Sequence, residues 1–303
     1  MRSLIVCLIA VLSVSSSSSA QSCGPQGLAV QILGSGGPMI NSERASTSYL
    51  LWVDSKPAIL VDAGGGAFLR FGQAGAKLSD LSLVAISHLH PDHVSDLPAL
   101  VWLSNFTRKE PLQIVGPSGN QAIPAFPVFL ARLFDSRTGA LPMLGTTLGG
   151  PPVAGAGGGV RLDVGVVDVA KAEPSKVFDR QGVTMTALGI PHGNVPTLAY
   201  RIETRGASIV LSSDQSGTNP RFVDFARGAD VLIMHLEIAA GATHPLHASP
   251  AVVGRIAQQS GVKRLIVSHI GPIDVDAAIN ELKKSYTGPL TVGADMLCKD
   301  VTG

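Results

Sequence analysis

The stretch Ser87-His88-Leu89-His90-Pro91-Asp92-His93 sets three imidazoles and a carboxylate directly after the apolar run Leu83-Val84-Ala85-Ile86. Imidazole nitrogen and carboxylate oxygen are ligands for zinc and related divalent ions, and a catalytic centre takes about three protein ligands per ion, leaving one position for water. Four donors packed this closely cannot all reach one ion. His88 and His90, alternating on a chain just leaving a strand, can face one metal together. Asp92 and His93, beyond the turn at Pro91, would face a second ion a few Å away. In a chain with eight histidines, this pattern arises by chance on the order of once in a thousand chains or less.

With this motif in place, the chain resembles the metallo-β-lactamase-fold hydrolases from about Leu28 to Val292, most strongly their ribonuclease Z-like branch. Leu33-Gly34-Ser35-Gly36-Gly37-Pro38, followed by Arg44 and Ser46-Thr47-Ser48-Tyr49-Leu50-Leu51, looks like the family's opening strand, loop and second strand. Ile59-Leu60-Val61-Asp62-Ala63-Gly64 looks like the third strand, ending in the acidic residue that braces the metal loop. Pro191-His192, Leu211-Ser212-Ser213-Asp214 and Leu265-Ile266-Val267-Ser268-His269 resemble the later ligand motifs in the family's order. The resemblance implies a four-layer α-β-β-α sandwich with one metal on His88, His90 and His192 and the other on Asp92, His93 and His269. Asp214 would bridge them, with Asp62 orienting a ligand imidazole from behind.

The same resemblance implies a hydrolase with two divalent metal ions, zinc first and manganese or iron as alternatives. Two cations sharing a water lower its pKa from about 15.7 toward 7 and so give hydroxide at neutral pH. Asp92 would hold an ion and orient that hydroxide, and His247, just before a helix start at Ser249-Pro250, could give a proton to the leaving group or hold an oxyanion. His235 is the open position. In Asp230-Val231-Leu232-Ile233-Met234-His235-Leu236-Glu237 it stands one place late against the ribonuclease Z pattern, so on a period-two strand it faces away unless a bulge intervenes. The aspartate at 214 argues against β-lactamase activity, and Pro191-His192-Gly193 is unlike the glyoxalase segment. A small ester, lactone, sulfate ester or phosphodiester is the expected substrate. The alternatives are a non-catalytic metal-dependent binding protein on the same fold and a ribonuclease Z-like phosphodiesterase acting on nucleic acid.

Composition supports a small-molecule partner over nucleic acid at this stage. Residues Met1 to Ala20 read as a secretory signal, with Arg2, an apolar run Leu4 to Leu12 and small residues before the expected cleavage point; the run is too short to span a membrane. Loss of Arg2 leaves 22 of 23 basic residues against 22 acidic ones. A neutral protein gains little polyanion affinity from counterion release, and there is no long basic insertion of the kind that grips transfer RNA. Nucleic acid is therefore expected to be an unlikely partner, the location secreted or periplasmic, and the oligomeric state open, a homodimer included. Cys23 and Cys298 are the thiols left after leader removal, and in an oxidising compartment a pair is more often bridged than free.

With 303 residues and 45% hydrophobic content, residues 21–303 can form one α/β domain with a full core. Apolar runs predict strands near Leu28 to Leu33, Ser48 to Val53, Ala58 to Val61, Leu83 to Ile86 and Leu112 to Val115. A second set falls near Thr184 to Ile190, Thr197 to Glu203, Ser208 to Leu211, Val231 to Met234 and Leu265 to Val267. Helices are expected at Ala67 to Gln73, Val94 to Ser104 and from Ser249-Pro250 to about Gln259. Between about 118 and 159 the pattern breaks into an apolar segment with Phe126, Phe129 and Phe134 and a glycine-rich tail. Its place between the metal motif and His192 suggests a lid-like insert.

Overall fold

The computed structural model describes residues 23–154 and 159–301, so the expected leader and part of the glycine tail lie outside the described residues. The first half runs β1 (Leu28–Gly34), β2 (Ser48–Val53), β3 (Lys56–Val61), α1 (Ala67–Gln73), β4 (Leu83–Ala85), α2 (Pro91–Val94), α3 (Leu97–Thr107), β5 (Leu112–Pro117), α4 (Phe126–Phe134) and β6 (Leu162–Val167). The second half runs β7 (Ser175–Arg180), β8 (Val183–Ile190), β9 (Thr197–Thr204), β10 (Ala207–Leu211), α5 (Pro220–Phe225), β11 (Val231–Leu236), α6 (Pro250–Ser260), β12 (Leu265–Ile270), α7 (Val275–Leu282), β13 (Leu290–Val292) and β14 (Cys298–Asp300).

Two seven-stranded sheets result, ordered β14-β1-β2-β3-β4-β5-β6 and β13-β12-β11-β10-β9-β8-β7. Side chains on a strand alternate between faces, and β1 shows the consequence. Leu28, Val30 and Ile32 enter the core between the sheets, while Ala29 and Leu33 enter the core under the first sheet's helices. A third cluster joins the second sheet to α5, α6 and α7. The layers are therefore helix, sheet, sheet, helix, and most strands are apolar on both faces because both are covered. Among the described residues no helix is long and apolar enough to cross a membrane.

From β3 to β6 the first sheet is parallel, as are β10, β11, β12 and β13 in the second. Parallel strands deliver their carboxyl ends to one edge, where α/β proteins build sites. The Tyr200 hydroxyl on β9 donates to the Ile86 carbonyl at 2.8 Å, and the Leu198 amide donates to the Ser87 carbonyl at 3.0 Å. Those bonds pin the segment entering the His88 motif to the opposite sheet.

In the 118–159 segment, Phe129 on α4 is half-buried against the core of the first sheet. Phe126 and Phe134 on α4 are fully buried in the core of the first sheet, and Phe126 packs so tightly on β5 that a Cβ on Gly116 would lie 2.4 Å from its ring. Their apolar character is spent on packing. Cys23 and Cys298 are joined in a disulfide, Cα atoms 5.7 Å apart, tying the start of the described chain to β14, which pairs with β1.

Candidate metal centre

Asp62 follows β3 and organises the loop after β4. Its Oδ1 accepts from the Ser87 amide at 2.7 Å, and its Oδ2 accepts from the Ser87 hydroxyl at 2.7 Å and faces His93 Nδ1 at 2.8 Å. Pro91 starts the short helix α2 and presents Asp92 and His93 one turn beyond His88 and His90. The approach is close enough to require glycine at Gly64, where a Cβ would meet the Asp92 carbonyl at 2.1 Å.

Strain gathers at the same edge. Asp62, Ser213 and His269 hold left-handed backbone, with φ of 60°, 49° and 48°, a conformation that costs a non-glycine residue about 1–3 kcal/mol and concentrates at functional sites. His269 owes its conformation to a bulge: His235 pairs with Ser268 and Leu236 with Ile270, leaving His269 without a partner on β11. The Ile270 amide donates to the Ser35 carbonyl at 2.8 Å, so the loop after β1 closes over this bulge. Arg44 anchors that loop by donating to Ser35 Oγ and the Gly293 carbonyl, both at 2.7 Å.

Donor atoms converge in two sets. His88 Nε2 lies 3.1 Å from His90 Nδ1, which lies 3.4 Å from His192 Nε2; Asp214 Oδ2 stands 3.9 Å from both His88 Nε2 and His192 Nε2. In the second set Asp214 Oδ2 is 3.1 Å from His269 Nε2 and 3.6 Å from His93 Nε2, while Asp92 Oδ2 is 3.2 Å and 3.5 Å from those nitrogens. A tetrahedral ion bound at about 2.0–2.1 Å spaces its ligands by about 3.3 Å, which these edges bracket. One oxygen of Asp214 belongs to both sets. The residues fit a pair of cations, and a buried His93 Nε2 with no hydrogen-bond partner among the described residues points into the second set.

The electrostatics agree with this reading. Burial works against the charged form of His93, but Asp214 and Asp62 outweigh it and push its pKa up to about 10. His269 is likewise driven up, against burial, by Asp214, Asp92 and Glu237. Asp214 is held well below the usual carboxylate range despite burial by His269 and His93. Burial lowers His88, His90 and His192. Protons on His93 and His269 thus balance the carboxylates, and a divalent cation would take their place, since a ligating imidazole must be neutral.

All seven expected ligands and Asp62 therefore come together. His247 stands beside them, its ring 5.1 Å from His192 and 5.8 Å from His269, and burial with His235 nearby lowers its pKa to about 3. Among the described residues, the group His192, Asp214 and His247 also has metal-compatible spacing. His244 is exposed and 5.4 Å from His247. His235 does turn to the site wall, its ring 5.3 Å from His247, but its nitrogens serve backbone: Nδ1 donates to the Ser213 carbonyl at 3.2 Å and Nε2 accepts from the Ala248 amide at 3.0 Å. Glu237 is the residue the sequence reading missed. Its Oε2 lies 3.0 Å from His269 Nδ1, and only the bulge at His269 brings them together.

Comparison with known proteins agrees with this geometry. Residues 41–109 match the model of the metallo-β-lactamase superfamily. A ribonuclease Z from Mycobacterium sp. (strain KMS) is 33% identical over 190 residues, covering 61% of this chain and 60% of that protein, so the chain spans about 60% of that relative's length. Ribonuclease Z from Mycobacterium bovis is 28% identical over 289 residues, covering 89% of this chain and 96% of that protein. Two solved structures share the fold: the metallo-β-lactamase fold protein YhfI from Bacillus subtilis (21% identical, TM-score 0.69, 90% and 98% of the two chains) and human tRNase Z, short form (18%, TM-score 0.69, 91% and 100%). The chain carries a metallo-β-lactamase superfamily domain in the α/β sandwich of that fold. Its homologues are ribonuclease Z proteins, and a ribonuclease Z is among its structural neighbours.

These relatives overturn the expectation of a small-molecule partner with nucleic acid unlikely. That expectation rested on the absence of a long basic insertion and on net charge, which sums over the whole surface and does not report the field at one groove.

Proposed function

We propose that the protein is a metal-dependent hydrolase, a two-metal phosphodiesterase acting on RNA. The observation that carries this is the pair of donor sets sharing Asp214 Oδ2, in a chain whose relatives are ribonuclease Z proteins. His88, His90 and His192 would hold one ion and Asp92, His93 and His269 the other, with Asp214 available to both. The nitrogen and oxygen donors suit zinc, the proposed native metal. When bound, such a pair supplies Lewis-acid polarisation of a phosphoryl oxygen and acidifies water. The chain's own residues do the rest: Asp92 orients the attacking water, and His247, its ring beside those of His192 and His269, handles the proton at the leaving oxygen. His235 holds the His247 segment against the Asp214 segment. The Cys23–Cys298 disulfide, together with the apolar run at the start of the sequence, supports action in an oxidising compartment outside the cytoplasm.

The test is incubation of zinc-loaded protein with an end-labelled RNA. Cleavage that is lost with a chelator, and in Asp92→Ala protein of unchanged circular dichroism, is expected. Intact RNA after exposure to fully loaded protein would overturn the proposal.

A further inference from the structure

We propose that Glu237 is the positioning residue for His269, and that it makes the Asp92, His93 and His269 set the tighter, first-filled metal position. The inference rests on the two-metal reading above and concerns how the two positions differ. Glu237 follows the last residue of β11, with its side chain only 11% exposed, and its Oε2 lies 3.0 Å from His269 Nδ1. The two atoms are not aligned for a straight hydrogen bond, yet both are buried and neither has another hydrogen-bond partner among the described residues. Two glycines close over the pair. A Cβ on Gly37 would lie 2.5 Å from Glu237 Oε2 and 2.7 Å from His269 Cε1, and one on Gly271 would lie 2.2 Å from the Glu237 carbonyl. Backbone stands there in place of water, so the pair sits in a low-dielectric setting where its attraction is strong.

The other imidazole of this set is backed in the same way, His93 Nδ1 lying 2.8 Å from Asp62 Oδ2. The opposite set differs. His88 Nδ1 faces the Ser87 hydroxyl at 3.1 Å and the Ser213 hydroxyl at 3.5 Å, and His192 Nδ1 donates to the Leu246 carbonyl at 3.0 Å. A carboxylate on the far nitrogen fixes the imidazole tautomer and raises the basicity of the nitrogen that faces the metal, which is worth about 10- to 100-fold in metal affinity. The second set has Asp92 as well as Asp214, whose Oδ2 comes within 3.1 Å of His269 Nε2, whereas the first set has Asp214 alone, at 3.9 Å from His88 Nε2 and His192 Nε2. Each difference favours the same position.

The experiment titrates metal-free, full-chain protein with Zn2+ against a chelating dye, with Co2+ absorption as the spectroscopic readout. Wild type is expected to bind two ions in separated steps. Glu237→Gln, which keeps the size but not the charge, should weaken the tighter step by about 10- to 100-fold, alter the first-filled Co2+ spectrum and leave the weaker step in place. Glu237→Ala should weaken the tighter step at least as much, and the near-isosteric Gln variant carries the test if the Ala variant does not fold. His88→Ala should abolish the weaker step alone. Fewer than two ions on wild type would overturn the two-metal reading itself. Two ions with a tighter step unmoved by Glu237→Gln, or a tighter step lost in His88→Ala, would overturn this proposal while leaving that reading standing.

Discussion

The Ala248 backbone amide donates to His235 Nε2 at 3.0 Å, placing a buried imidazole directly under the segment that presents His247. The other nitrogen of His235 donates to the Ser213 carbonyl, one residue before Asp214. Burial pushes the His235 pKa down to about 4, so the ring is neutral at physiological pH, and its partners fix the tautomer with hydrogen on Nδ1. His235→Ala should therefore cost about 1–3 kcal/mol of stability through an opened cavity and the loss of its two backbone hydrogen bonds, read as a lower denaturation midpoint in urea.

His247→Ala should show the opposite balance. Its ring adjoins the centre without being one of the seven ligands, so metal content should stay at the wild-type level while the hydrolysis rate falls about 10²- to 10⁴-fold, most for poor leaving groups. Elemental analysis alongside rates on phosphodiesters of graded leaving-group pKa checks this. His235→Ala should lose less rate than His247→Ala and more stability.

Asp230 gives a pH-dependent contribution away from the metal centre. Burial raises its carboxyl pKa, but bonds from Lys263 at 2.6 Å and the Ser208 amide at 2.7 Å outweigh burial, and the pKa falls below its ordinary 3.8. A carboxylate depressed in the folded state stabilises above its unfolded pKa, and that stability is lost as pH falls through the folded value. Asp230→Asn should be about 1–2 kcal/mol less stable at neutral pH. The gap should close in a denaturation series taken below pH of about 4.

The disulfide closes a span of 275 residues, and constraint of the unfolded chain predicts a contribution of about 2–5 kcal/mol. Thiol titration of the denatured, unreduced protein should find no free thiol from this pair. Reduction, or Cys298→Ser, should lower the melting temperature in calorimetry.

Much of the centre is legible in the sequence because its donors stand immediately after strands that are apolar on both faces. Runs such as Leu83–Ala85 and Leu265–Val267 announce buried parallel strands, and the His or Asp that follows each marks their shared edge. The edge strands β6 and β7 escape the reading because much of each is solvent-facing and neither forms a continuous apolar run. Phe126 and Phe134 read as a cover because composition gives no direction; only the packing on β5 shows they face inward. Glu237 and His235 are harder still. Glu237's contact with His269 depends on one extra residue in β12, and a bulge of that kind changes the facing of side chains without changing composition or periodicity enough to be seen; His235 stays on the regular strand β11 and is placed by its bonds to the Ser213 carbonyl and the Ala248 amide.

The central claim is that these side chains hold two cations through a shared aspartate. Anomalous diffraction from crystals of the zinc-loaded protein tests it most directly. Two peaks per chain are expected, one contacting His88, His90 and His192, the other Asp92, His93 and His269, with Asp214 reaching both. A single peak, or one held by His192, Asp214 and His247 instead, would contradict it.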